Sequence, residues 1–262
     1  MKRLIFVAAI GAASLATAQE LVTLPSRPGV TQSFVILPME GRVPSAIALL
    51  YVGGGGRINA RSEDGQVKFG ARNFLPRSGA EFVRNDVLPV VMDAPSDAGD
   101  LSDGYRMGRE QSVDARAVLG ELKRRFPALP VYVVGTSRGT ISAAYIGRDL
   151  GREIAGVVLS SSLFGGASAR RQAASLRGFD YAEIQAPLLF VHHREDACEQ
   201  TPYAAAARLA SRYELISVSG GKPAESAACE PLSAHGYFGV EARTVDAMTA
   251  WMLKRSYPKE ID

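Results

Sequence analysis

Histidine is scarce in this chain, three residues in 262, and cysteine scarcer still, with two. A reaction that needs an imidazole therefore has only His192, His193 and His235 to draw on. Charge of one sign is lacking too, since 30 basic residues face 27 acidic ones for a formal net charge of +3. That balance makes no electrostatic case for nucleic acid or for an anionic membrane surface as a partner. No internal period and no low-complexity run is present, which argues against repeat architectures. A phosphate loop is missing, because no Gly-Lys-Ser/Thr follows the glycine run at 53–56. The dinucleotide fingerprint fails as well, with Asn59 standing where its last glycine belongs. No motif calls for a cofactor.

Long apolar runs are absent apart from residues 4–16, which are short for a bilayer span. Lys2 and Arg3 before that run and Ala16-Thr17-Ala18 after it read as a secretory signal peptide cut after Ala18. Residues 1–18 are then a signal, and residues 19–262 a single α/β domain that is periplasmic or secreted, with no membrane span. Without Lys2 and Arg3, 28 basic residues face the 27 acidic ones, so the mature chain is near neutral. At 47% hydrophobic and 22% charged residues, the composition suits an ordinary globular core.

What the chain does have is Gly135-Thr136-Ser137-Arg138-Gly139, set between a β-branched apolar run at 131–134 and an Ala-rich stretch that suits a helix. This is G-x-S-x-G in the strand–turn–helix setting that gives the motif its meaning. The turn is sharp, and Gly135 and Gly139 remove Cβ atoms where strand and helix crowd each other. Ser137 is left at the tip, beside a helix N-terminus whose free N–H groups favour developing negative charge.

Around the elbow, strands are expected over 30–37, 45–52, 87–92, 154–159, 187–191 and 214–218, and helices over 111–126, 202–211 and 240–254. Continuous apolar runs such as 45–52 suit parallel strands covered on both faces. Residues 57–76 read as a surface loop anchored by Phe69, Phe74 and Leu75, and 78–85 as a short helix with a capping box from Ser78 to Glu81. Asp93 and Asp97 suit loop-fixing hydrogen bonds. The helix over 111–126 is expected to bury Val113, Ala117, Leu119 and Leu122, and the closing helix Val245, Met248, Trp251 and Met252.

Ser137, Asp196 and His235 each follow a strand or precede the last helix, in the order Ser…Asp…His. With the elbow, that order resembles the α/β-hydrolase fold family over about residues 30–254. The resemblance implies a mostly parallel central sheet with helices on both faces and a short lid insertion, here residues 163–183. It also implies Ser137 as nucleophile, His235 as the base that takes its proton, and Asp196, rather than Glu195, as the acid that orients the imidazole. His192 and His193, beside the acid, suit structural roles. A metal site built from His192, His193, Glu195 and Asp196 is disfavoured because adjacent strand residues point to opposite faces. The oxyanion donors implied are the amide of Arg138 and one from Gly54 or Gly55, while Val52 stands where lipase-like members carry the histidine of H-G-G-G.

The expectation is an exported serine hydrolase that cleaves an ester or related acyl bond of a small-molecule substrate through an acyl-enzyme. An acyltransferase with the same triad, or a binding protein on a hydrolase scaffold, is the alternative. Arg106 and Arg138 are candidates to meet an anionic substrate. In an exported chain, Cys198 and Cys229 invite a disulfide that ties the acid loop to the base loop.

Overall fold

The computed structural model describes residues 18–165 and 175–262. The signal segment, apart from Ala18, and residues 166–174 of the expected insertion lie outside the described residues. Chain order runs β1 (Glu20–Arg27), β2 (Val30–Ile36), β3 (Ala46–Tyr51), β4 (Arg61–Glu63), β5 (Gln66–Lys68), α1 (Phe74–Arg77), α2 (Gly79–Arg84) and β6 (Val87–Pro95). It continues through α3 (Asp103–Met107), α4 (Arg109–Arg125), β7 (Val131–Thr136), α5 (Gly139–Leu150), β8 (Gly156–Ser160) and β9 (Leu188–His193). Last come α6 (Tyr203–Leu209), β10 (Glu214–Val218), α7 (Glu241–Met252) and β11 (Glu260–Ile261).

Among the described residues, nine strands make one sheet in the order β1-β2-β6-β3-β7-β8-β9-β10-β11. β2 pairs antiparallel with β1 and β6, and every other pairing in it is parallel. The parallel centre follows from its residues: β3, β7, β8 and β9 are buried along their whole length, and predominantly apolar runs fill strands covered on both sides. Alternation along β3 sends Ile47, Leu49 and Tyr51 into a core with Val118 and Leu122 of α4 and Ile141 of α5. Ala46, Ala48 and Leu50 face the opposite core, with Phe82 of α2 and Val245 and Met248 of α7. Helices thus cover both faces, and the loops after β3, β7 and β9 gather at one edge. That edge is where ligand sites form in open parallel sheets.

Three local expectations need correction. The loop at 57–76 contains the β4–β5 ribbon and α1, although Phe74 and Leu75 are buried as expected. The capping box at Ser78 does not form, because α1 ends there: the Ser78 amide donates to Phe74 O, and its hydroxyl makes no cap bond. In α4 the buried apolar face is Ala115, Val118, Leu119 and Leu122, with Val113 and Ala117 only half-buried. The helix is rolled by its polar residues: Asp114 is drawn inward by Arg27 Nε at 2.9 Å and the Tyr105 hydroxyl at 2.8 Å. Two-residue β11, which extends the sheet beside β10, carries too little pattern to be read from sequence.

Candidate active site

At the elbow, β7 runs into α5 through Ser137 and Arg138 with almost no space. A Cβ on Gly139 would stand 2.1 Å from Tyr51 O, and one on Gly135 would stand 2.4 Å from Gly139 O. Both glycines are therefore required by contact with backbone, which no side-chain rotation relieves. Ser137 itself sits at φ 53°, a left-handed conformation that costs a residue with a Cβ about 1–3 kcal/mol. The surroundings hold it there: its amide donates to Ser160 O at 3.1 Å, and the amide and hydroxyl of Thr140 donate to its carbonyl at 2.9 and 2.6 Å.

Asp196 follows β9. Its Oδ2 lies 3.0 Å from Nδ1 of His235 and accepts the Thr201 hydroxyl at 2.7 Å, while Oδ1 accepts the Cys198 amide at 2.9 Å. The carboxylate has no exposed surface, so these donors replace water around it. His235 stands on a single 3-10 turn, Ala234–Gly236, capped by the Ser233 hydroxyl, which accepts the His235 amide. The turn is tied to the sheet from behind. Ser161 Oγ donates to His235 O at 2.8 Å, and the buried Tyr237 hydroxyl donates to Val191 O at 2.7 Å. The imidazole is 5% exposed, and its buried Nε2 has no hydrogen-bond partner among the described residues. Ser137 and His235 line one cleft of about 150 Å³, together with Gly53, Gly54, Asn73, Phe74, Cys229, Glu230 and Pro231.

Of the candidate donor loop, Gly54 borders this cleft, whereas Gly55 faces Asp100, whose Oδ1 would lie 2.5 Å from a Cβ there. The loop's shape is set from below by Asp93, which accepts the amides of Ile58 at 2.8 Å and Ala60 at 2.7 Å, the loop-fixing role expected of it. Asp97 pairs with Arg27 at 2.9 Å. A disulfide joins Cys198 to Cys229, and so the Asp196 loop to the His235 loop.

The other two histidines, as strand neighbours, face apart. His192 is fully buried, stacks on Phe164 and accepts the Ser162 amide on Nε2 at 2.9 Å. Burial pushes its pKa down to about 3, so it is neutral. His193 lies 3.0 Å from Gly220 O through Nε2 and accepts the Glu195 amide at Nδ1, and burial lowers its pKa as well. Among the described residues no cluster of three or more His, Cys, Asp or Glu is grouped to hold a metal, and no helix is long and apolar enough to cross a membrane.

Arg106 departs from its expected place. It is not on the surface for an anionic substrate to meet; it has no exposed surface and donates inward to Gly54 O and to Ser142 Oγ, both at 3.0 Å. One indirect sign of it is the extra glycine at 56, where a Cβ would lie 2.5 Å from Arg106 Nη2.

A mixed sheet of this order, with an elbow serine after its central strand, defines the α/β-hydrolase fold, and this chain has it. No family model and no curated protein matches the chain. Solved structures do match. It is similar to an α/β serine hydrolase without a lid from Xanthomonas campestris, at 16% identity and TM-score 0.57 over 88% of this chain and 94% of that one. It is similar to Est1E from Butyrivibrio proteoclasticus, at 13% identity and TM-score 0.60 over 89% of this chain and 98% of that one. An α/β serine hydrolase homologue from Coxiella burnetii matches at 14% identity and TM-score 0.59, over 92% and 99%. At such identities the likeness establishes the fold.

Proposed function

We propose that this protein is a serine hydrolase that cleaves an ester or related acyl bond through an acyl-enzyme. One observation carries the reading: His235 is held by a buried carboxylate at Nδ1, keeps an Nε2 without a hydrogen-bond partner, and lines the same cleft as Ser137. A serine hydroxyl is a weak nucleophile until a base takes its proton. In this reading Ser137 Oγ attacks the acyl carbon while Nε2 accepts the proton, and Asp196 holds the ring and balances the imidazolium. The oxyanion is met by the amides of Arg138, at the start of α5, and Gly54, each worth about 3–4 kcal/mol in the barrier. The imidazolium then protonates the leaving group. Water, deprotonated by the same nitrogen, attacks the acyl carbon and releases the acid and free Ser137.

A cleft of about 150 Å³ favours a short acyl group, being well under the roughly 300–1,000 Å³ of sites for drug-sized ligands. Hydrolysis of 4-nitrophenyl acetate, butyrate, octanoate and palmitate by wild type and Ser137→Ala tests the reading. Turnover falling with chain length and lost in the variant is the expected result, and equal turnover by the variant refutes it. The Cys198–Cys229 disulfide supports export to an oxidising compartment. An exported chain whose intact mass begins at Gln19 is expected; a cytoplasmic chain keeping Met1 contradicts that.

A further inference from the structure

Arg106 has no role in the chemistry just described, yet it is the largest side chain buried without exposure. Burying a guanidinium is costly unless its donors find acceptors. Here the acceptors of both terminal nitrogens come from two segments far apart in the chain, while Nε finds none among the described residues. Nη2 donates to Gly54 O at 3.0 Å, in the glycine loop after β3. Nη1 donates to Ser142 Oγ at 3.0 Å, in the first turn of α5, and to Arg138 O at 3.4 Å, just after the elbow serine. The glycine loop is shaped to admit it, since Gly56 takes φ 77° and a side chain there would overlap the guanidinium.

Gly54 and Arg138 are also the two residues whose amides the hydrolase reading assigns to the oxyanion. Each of these carbonyls lies in one rigid peptide plane with the amide of the next residue, so pinning Gly54 O and Arg138 O fixes the backbone directly after both donors and restricts how far either can swing. The planar fork makes this a rigid clamp, which a flexible ammonium does not reproduce. Burial and the nearby Arg138 charge lower the Arg106 pKa only to about 10, so the group stays cationic near neutral pH.

We infer that Arg106 is a positioning residue that clamps the glycine loop to the nucleophile elbow and fixes the two oxyanion donors in register. The inference rests on the hydrolase reading. Its effect belongs to the transition state, where the oxyanion exists, and not to the bound ester.

The test is steady-state hydrolysis of 4-nitrophenyl acetate by wild type, Arg106→Met, Arg106→Lys and Ser142→Ala, with active sites counted by fluorophosphonate titration to completion. Expected for Arg106→Met is kcat per titrated site lower by about 10- to 100-fold, with KM within about threefold. Arg106→Lys recovers part of that loss, since one ammonium reaches one carbonyl, and Ser142→Ala, which frees one end of the fork, loses about threefold or more. A merely structural role would lower the number of titratable sites and leave kcat per site unchanged. The clamp is overturned by kcat per site within about threefold of wild type in Arg106→Met. Should that variant yield no folded protein, Arg106→Lys and Ser142→Ala both within about twofold of wild type overturn it equally. Wild type that neither labels nor turns over defeats the hydrolase reading itself, and the clamp with it, before any variant is compared.

Discussion

Nδ1 of His235 lies 3.0 Å from Oδ2 of Asp196, a carboxylate that is wholly buried and shared with the Thr201 hydroxyl. An acceptor in that place fixes which ring nitrogen carries the proton and leaves Nε2 as the unprotonated nitrogen. Asp196→Asn offers an amide instead, which favours the wrong tautomer. A fall in kcat/KM of about 10³- to 10⁴-fold is expected, with the fold retained. A variant within about tenfold of wild type would show that His235 is not oriented through Asp196.

The disulfide spans the same two loops as that hydrogen bond. Its cysteines are 31 residues apart, for which chain entropy gives about 3–4 kcal/mol. Urea unfolding of the Cys198→Ala/Cys229→Ala double variant is expected to show a loss of that size. Because Asp196 and His235 ride on the joined loops, kcat per folded molecule falls as well. An unchanged urea midpoint and unchanged kcat would remove the disulfide from any part in holding the site.

Three glycine-to-alanine changes separate contact from propensity. Gly139→Ala and Gly135→Ala push a methyl against backbone oxygen at 2.1 and 2.4 Å, and a loss above about 3 kcal/mol or no folded protein is expected. Gly120→Ala, in α4 with nothing within 4 Å, should raise stability by up to about 1 kcal/mol. Thermal melts showing similar effects at all three positions would contradict the crowded elbow.

Acid stability follows from His192. Its pKa is about 3 in the folded protein against an ordinary 6.5, so between those values the unfolded chain binds a proton that the folded chain does not. Stability is full above about pH 6.5 and falls with pH through that window, by at most about 1.4 kcal/mol per unit for this group. His193, also lowered by burial, adds in the same direction. His192→Gln keeps an acceptor for the Ser162 amide and removes the titration. Its urea midpoint is expected to fall less steeply from pH 6.5 to 4.5, and an identical slope would show that His192 does not carry the effect.

What could be read from the sequence is what short-range chemistry dictates. The elbow announced itself because its strand, glycines and helix are contiguous, and the buried strands because their apolar runs are continuous. Asp93 was legible from its place directly after the apolar run 87–92, although β6 continues through it to Pro95, and the inner face of α7 from its spacing. Ser137, Asp196 and His235 stood at strand ends in sequence, and the fold gathers them at one edge. Contacts across the chain left no such trace. The roll of α4 depends on Arg27 and Tyr105 reaching Asp114, and the burial of Arg106 depends on carbonyls 52 and 32 residues away. An arginine between Gly104 and Gly108 looks like a surface residue until the partners that desolvate it are known.

If Ser137 is a nucleophile activated by His235, fluorophosphonate labelling with intact-mass readout detects it at the serine itself. Wild type is expected to gain one adduct, localised by peptide mapping to Ser137, and Ser137→Ala to gain none. A wild type that stays unlabelled, or a Ser137→Ala variant that labels equally well, would contradict it.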